Sequence, residues 1–320
     1  MRALRFHELG GPEVLRCEDA PAPALGPGKV LVDVRAAGLN FADTRFIRGK
    51  YFVQPRLPDV PGMEAAGVVR AVAPDVTGLA PGDRVIALGR AAFAEQMVAS
   101  VTSSYPIPAA LDFERAAALG IQGLSAHHLL FLIGGLQRGE RVWIQAAAGG
   151  VGTLAVQLAK RAGATVVASA SRDKHALLRR LGADAVIDSH EDVLHQLKDA
   201  VGEVDLVLEM IGGTEQYKKD LAVLRSRGRV LVYGAASGDT RGTFEPIGLM
   251  GKNLSFAGYH LTPLLAERAL CAPPLAELCG LAVEGALEVV IGARAPLSEG
   301  AKAFADLERR ATSGKVVLLP

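Results

Sequence analysis

The sequence predicts an α/β chain in which a β-rich unit is interrupted by a second unit built on a doubly wound parallel sheet. Three observations carry the prediction. The first third of the chain is dense in short strands of period two, separated by Pro-Gly turns. From residue 112 onward, short apolar strands alternate with helices, as in successive βαβ units. Between one such strand and its helix lies the glycine turn Gly149-Gly150-Val151-Gly152.

The elements follow in order. Residues 29–37 (KVLVDVRAA) alternate apolar and polar or charged positions, the pattern of a half-buried strand. Residues 67–73 and 83–88 read as further strands, with Pro27-Gly28, Pro61-Gly62 and Pro81-Gly82 as turn punctuation. Residues 112–119 open on Asp112 as an N-cap, carry acidic residues early and continue in good helix formers. Strands are then expected at 141–145, 165–168, 186–187, 206–208 and 229–233, with helices at 151–162 and 173–181. The last segment reads as helical over 263–285 around Pro273-Pro274. Strand, helix and strand follow at 288–291, 298–311 and 316–319. No internal repeat is visible, and the tail is expected to rejoin the first unit.

Composition narrows the function classes. Half of the 320 residues are apolar and 22% are charged, enough to bury a sizeable core. The formal net charge is +1, which predicts no strong attraction to nucleic acid or to anionic lipid. Cys17, Cys271 and Cys279 are far apart and form no CxxC pair. This argues against a disulfide framework or a thiolate zinc site and fits a reducing cytoplasm. The N-terminus lacks the apolar core of a secretory signal. Residues 116–136 carry no Asp, Glu, Lys or Arg and are long enough to span a bilayer. Their glycines, Gln122, Ser125, His127 and His128 favour a buried helix and turn.

The glycine turn carries the chemistry. A bend free of side chains lets a pyrophosphate approach main-chain amides at a helix N-terminus. The last glycine of such a turn lets helix and strand pack closely. Ala148, Gly149, Gly150, Val151 and Gly152 are therefore candidate cofactor contacts. An ordinary strand-to-helix loop is the plainer reading, and the placement among βαβ units weighs against it. NAD sites usually carry an acidic residue at the end of the next strand, roughly 20 residues on. Here that strand leaves through Ser169-Ala170-Ser171-Arg172-Asp173-Lys174. Ser171, Arg172 and Lys174 suit a 2′-phosphate, so NADPH is expected, with NADH possible because of Asp173.

Several segments resemble one family: the zinc-independent quinone oxidoreductases of the medium-chain dehydrogenase/reductase superfamily. They are AGLNFAD at 37–43, PGMEAAGVV at 61–69, GDRV at 82–85, GLSA at 123–126, the glycine turn itself and GKVV at 314–317. With GYHL at 258–261, they look closest to the branch containing the synaptic-vesicle membrane protein VAT-1 homologue. The resemblance implies a GroES-like domain over 1–115, completed by 261–320. It implies a Rossmann domain over 116–260, with the active site in the cleft and the chain a homodimer. It also implies a small-molecule substrate and no membrane partner. Zinc-dependent relatives carry Cys where Asn40 stands and His where Met63 stands. Amide and thioether are poor zinc ligands, so no zinc is expected.

The resemblance also assigns candidate roles. Without a Lewis acid, hydride transfer to a quinone or activated enone needs hydrogen-bond donors for the carbonyl oxygen. Asn40 matches the family's active-site asparagine, against a loop-capping role. Asp43 is expected to cap the helix that begins there. Tyr51 matches a pocket tyrosine and is a candidate proton donor, against simple packing in a loop. Arg45 replaces a second pocket tyrosine. It either favours an anionic substrate such as a coenzyme A thioester or faces solvent. Ser125 matches a hydroxyl near the nicotinamide ribose, and Tyr233 and Gly234 end a strand at the cofactor edge. Ser189 stands where a tyrosine often meets the 2′-phosphate. His127 and His128 point to different helix faces and are expected to be structural. An enoyl-thioester reductase and a nucleotide-binding protein with little turnover are the alternatives to a quinone or enone reductase.

Overall fold

In a computed structural model describing residues 1–320, the N-terminal strands β1 (Arg2–Arg5) and β2 (Arg16–Asp19) form a small antiparallel pair. The alternating stretch that follows becomes β3 (Lys29–Leu39), with Val30, Val32, Val34 and Ala36 buried on one face. The short helix α1 (Phe41–Ile47) leads to β4 (Glu64–Val72), β5 (Arg84–Gly89) and β6 (Gln96–Pro106). These strands pair antiparallel in sequence, and β6 pairs back onto β3, which closes the sheet on itself. Edge-to-face pairs Phe6–Phe46 and Phe93–Phe304, each with centroids 5.8 Å apart, fix part of the core.

Asp112 caps α2 (Phe113–Leu119) as expected, its carboxylate accepting from the Arg115 amide at 2.8 Å. The charge-free stretch continues as α3 (Ile121–His127) and a wide helical turn over His128–Leu132. Leu119, Leu124, Leu129 and Leu130 are fully buried. No helix of the structure is long and apolar enough to cross a membrane.

The chain then builds its parallel sheet. The elements are β7 (Arg141–Ile144), α4 (Gly150–Arg161), β8 (Thr165–Ala170), α5 (His175–Arg180), β9 (Ala185–Asp188) and α6 (Val193–Val201). They continue as β10 (Val204–Glu209), α7 (Thr214–Ala222), β11 (Leu224–Val232) and β12 (Ser255–Gly258). The strand order is β12-β11-β10-β7-β8-β9, and every pairing is parallel. The order reverses between β7 and β10, the switch point at which such sheets bind ligands beyond their strand ends. Trp143, Val167, Val207 and Val230 centre the core of this unit.

The tail contains α8 (Leu261–Leu264), α9 (Arg268–Val283), β13 (Ile291–Pro296), α10 (Gly300–Glu308) and β14 (Lys315–Leu319). It rejoins the first sheet, as its mixed pattern predicts: β14 pairs antiparallel with β3, and β13 parallel with β14. The strand expected at 288–291 begins only at Ile291, because the parallel partner β14 offers its ladder from Lys315 onward. One compact unit therefore comprises residues 1–124 and 262–320, and the other residues 125–261.

Candidate active site

In the parallel-sheet unit, β7 leaves the sheet into a tight bend before α4. The bend starts at Ala146, held at φ 47°, and the Gly149 amide closes on the Ala146 carbonyl at 3.0 Å. The Ala147 amide donates to the Ser169 carbonyl at 3.0 Å, which pins the bend to β8. Gly152 is obligatory: a β-carbon there would lie 2.4 Å from the Ala147 carbonyl oxygen and 2.5 Å from its Cα. At Gly149 the nearest atom to such a carbon is the Ala146 carbonyl oxygen, 3.3 Å away, and Gly149 itself is exposed. The first amides of α4 have no acceptors within the helix and carry its positive end. The turn is therefore a cradle of the kind that fits a dinucleotide pyrophosphate, and Ala148 to Gly152 would hold it.

The end of β8 meets the end of β9, with Ala170 opposite Asp188. This pairing brings Ser171, Arg172 and Ser189 to one edge. Arg172 is 73% exposed on its side chain. Its Nε reaches Asp188 Oδ2 at 3.3 Å, and its Nη2 reaches Glu191 Oε1 at 2.5 Å. Ser171 is bonded to the Asp173 carboxylate, whose pKa it lowers. The cationic edge expected from the sequence is thus mixed, with carboxylates already on its guanidinium.

Near the switch point, Glu209 at the end of β10 is fully buried. Its Oε1 accepts from the Ile211 and Gly212 amides, each at 2.6 Å. The Tyr233 amide donates to the Glu209 carbonyl at 3.0 Å. Burial, with the Glu209 charge, raises the Tyr233 phenol. The Met210 thioether packs over Gly234, where a β-carbon would lie 2.1 Å from its Sδ and require that side chain to move. Asp220, bonded to Gln145 at 2.6 Å and Gln216 at 2.8 Å, is pushed up to about 8, chiefly by burial. Ser125 is buried. His128 joins Tyr259 through Nδ1 at 3.1 Å, which fits a structural role.

The other unit holds a buried polar knot. Two of the strands paired with β3 contribute to it. In the β14 register Val316 faces Leu39, so Lys315 comes beside Asn40. In the β4 register Ala65 faces Ala37, so Glu64 comes beside Gly38. Gly38 leaves the room: a β-carbon there would lie 2.5 Å from Lys315 Cε and 2.8 Å from Glu64 Oε1. Lys315 is 1% exposed, Glu64 0% and Asn40 5%. Lys315 Nζ donates to Glu64 Oε1 at 2.5 Å and to Asn40 Oδ1 at 2.9 Å. Asn40 Nδ2 donates to Glu64 Oε1 at 2.8 Å and to the Gly38 carbonyl at 3.2 Å. Gln122 Nε2 donates to Asn40 Oδ1 at 3.2 Å, and the Ile121 amide to Glu64 Oε2 at 2.6 Å. Both amide hydrogens of Asn40 are therefore engaged inside the protein. Burial lowers the Lys315 pKa, with the Glu64 charge pulling against it.

Asp43 closes the knot on the α1 side. Its Oδ2 accepts from the Asn40 main-chain amide at 2.8 Å, the helix-start bond expected of it, while its buried Oδ1 has no partner. Burial pushes its carboxyl up to about 7, with the Asn40 amide and Lys315 pulling the other way. Tyr51 is half-buried. Its phenol is raised by burial and then by the Asp43 charge, and it is bonded to the Thr262 side chain. Arg45, half-buried on α1, pairs with no carboxylate, whereas Arg48 one turn on is held by Glu308. No group of three His, Cys, Asp or Glu side chains converges in a way suited to a metal ion.

Lys315 and Gln122 are the members of the knot that the sequence did not reveal. The signal for Lys315 was a lysine opening the apolar run KVVLL, where a strand partner buries it.

Two family descriptions match the chain: "Alcohol dehydrogenase GroES-like domain" over residues 26–109 and "Zinc-binding dehydrogenase" over residues 150–269. The human synaptic vesicle membrane protein VAT-1 homolog is 34% identical, the alignment covering all of this chain and 86% of the relative. A quinone oxidoreductase of Pseudomonas aeruginosa is 36% identical over all of this chain and 99% of its own. Among solved structures, Escherichia coli quinone oxidoreductase complexed with NADPH superimposes with a TM-score of 0.93. Its identity is 31%, and both chains are covered in full.

Proposed function

The chain belongs to the quinone oxidoreductase family of the medium-chain dehydrogenase/reductase superfamily, and on that premise we propose that it is an NADPH-dependent reductase of quinones or activated enones, working without zinc. The observation that carries the reading is the bare turn Ala146–Gly152 at the switch point of a parallel sheet. Ala148 to Gly152 hold the pyrophosphate. Ser171, Arg172, Lys174 and Ser189 meet the 2′-phosphate, while Ser125, Tyr233 and Gly234 line the cofactor path. When bound, the reduced nicotinamide supplies the hydride.

The chain's own residues manage the charge that develops on the substrate oxygen. Tyr51 donates a proton or hydrogen bond there; burial, and then the Asp43 charge, hold its phenol above the ordinary value. Asn40 offers the amide hydrogen now on the Gly38 carbonyl, the longer of its two donor bonds. A second reading, an enoyl-thioester reductase, draws on one observation: Arg45 lacks a carboxylate partner and is suited to an anionic substrate.

Steady-state NADPH oxidation with 1,4-quinones and with 2-enoyl-CoA esters separates the two. Turnover of quinones, with esters slower, is expected. Preference for the esters establishes the second reading. Silence with both, despite tight NADPH binding, leaves a nucleotide-binding protein and removes the proposal.

A further inference from the structure

We propose that Lys315 is a positioning residue, whose buried ammonium fixes and polarises the Asn40 carboxamide for donation to the substrate oxygen. The inference rests on the reductase reading above and deepens it.

An asparagine side chain is nearly symmetric in shape, so its orientation is set by what surrounds it. On one side of Asn40 stand Lys315 Nζ at 2.9 Å, which can only donate, and Gln122 Nε2 at 3.2 Å. On the other stand acceptors, Glu64 Oε1 at 2.8 Å and the Gly38 carbonyl at 3.2 Å. Only one orientation satisfies all four, with Oδ1 on the ammonium and Nδ2 on the acceptors. A cation drawing on Oδ1 also makes the Nδ2 hydrogens better donors, since hydrogen bonds in series reinforce one another away from water.

The arrangement is a weak device for stability alone. A buried ion pair seldom stabilises more than apolar side chains of the same volume, and here two glycines make room for it. Besides Gly38, Gly120 is confined, for a β-carbon there would lie 2.6 Å from Glu64 Oε2. What a donor-only cation supplies that an apolar side chain does not is a fixed and polarised amide.

The test is a double-mutant cycle in kcat with a 1,4-quinone, using Asn40→Ala, Lys315→Met and both together. Each single change is expected to lower kcat about 10²-fold, the scale of losing one oxyanion donor, with the KM for NADPH unchanged. The double variant is expected to be no slower than the slower single, because the two act as one unit. Losses that multiply to about 10⁴-fold, or normal kcat in Lys315→Met, overturn the inference. Lys315→Met alone leaves the Glu64 carboxylate buried without its partner, and Glu64→Gln alone does the same to the ammonium, so Lys315→Met is also made together with Glu64→Gln, with and without Asn40→Ala, where both charges are gone; the same outcomes decide there. Gln122→Leu removes the other donor on Asn40 Oδ1 and spares the ion pair. A several-fold fall in its kcat is expected, and unchanged kcat counts against the inference. A wild-type protein that oxidises NADPH with no quinone refutes the functional reading instead, so the two failures are distinguishable.

Discussion

At the scale of single residues, Tyr51 and Arg172 carry separable consequences. The Tyr51 phenol is raised above its ordinary value by burial and then by the nearby Asp43 charge. Tyr51→Phe removes the donor and little of the packing. The expected outcome is a kcat lowered on the order of 10²-fold with NADPH affinity intact, measured by steady-state kinetics and fluorescence titration. An unchanged kcat would assign the proton to another group. Arg172 is shared between Asp188 and Glu191, which compete with any phosphate for its guanidinium. Glu191→Gln frees one side of it. NADPH is then expected to bind several-fold tighter while NADH affinity stays level. An equal gain for both cofactors would show that Arg172 does not read the 2′-phosphate.

At the scale of elements, the bend before α4 makes two glycines unequal. Gly152 faces the Ala147 backbone at distances no β-carbon tolerates, whereas the space at Gly149 is nearly sufficient. Gly152→Ala is expected to lower the melting temperature by several degrees, and Gly149→Ala by little. Gly149→Ala instead puts a methyl group on the exposed bend, and NADPH affinity is expected to fall about tenfold or more. Thermal melts with and without NADPH check both. Much of this was legible beforehand, because a strand, a glycine turn and a helix are all local patterns. Strand β6 was not: the sequence reading places no strand over 96–106, where the run Ser100-Val101-Thr102-Ser103-Ser104 is mostly polar. It is a strand because β3 and β5 flank it, and Ser103 satisfies its hydroxyl on the Leu88 carbonyl at 2.8 Å. The polar knot was half legible. Asn40, Glu64 and Lys315 each lie in a recognisable motif, but the contact of Lys315 with Asn40 spans 275 residues through a pairing that no local window contains.

At the scale of the whole molecule, buried carboxyls set the dependence of stability on pH. Asp43 rises to about 7 and Asp220 to about 8, from an ordinary 3.8, so the folded state holds their protons more tightly than the unfolded chain does. The stability they contribute is complete below pH 3.8 and is lost as pH climbs through 7 and 8. Carboxylates lowered by partners, such as Glu140 beside Arg229 and Asp184 beside Lys160, act in the opposite sense and lose their contribution in acid. Maximum stability is therefore expected on the acid side of neutrality. Asp220→Asn should flatten the decline that runs from pH 3.8 to about 8, leaving the variant more stable than the wild type at pH 8 and above by at least roughly 1 kcal/mol, as denaturant titrations at several pH values would record.

The proposed chemistry requires a dinucleotide resting against the main chain between β7 and α4. Calorimetric titration of NADPH into the wild-type protein and into Gly149→Ala tests it most directly. One cofactor per chain with micromolar-scale affinity is predicted for the wild type, with clear weakening in the folded variant. Absence of binding heat in the wild type, or equal affinity in both proteins, would contradict it.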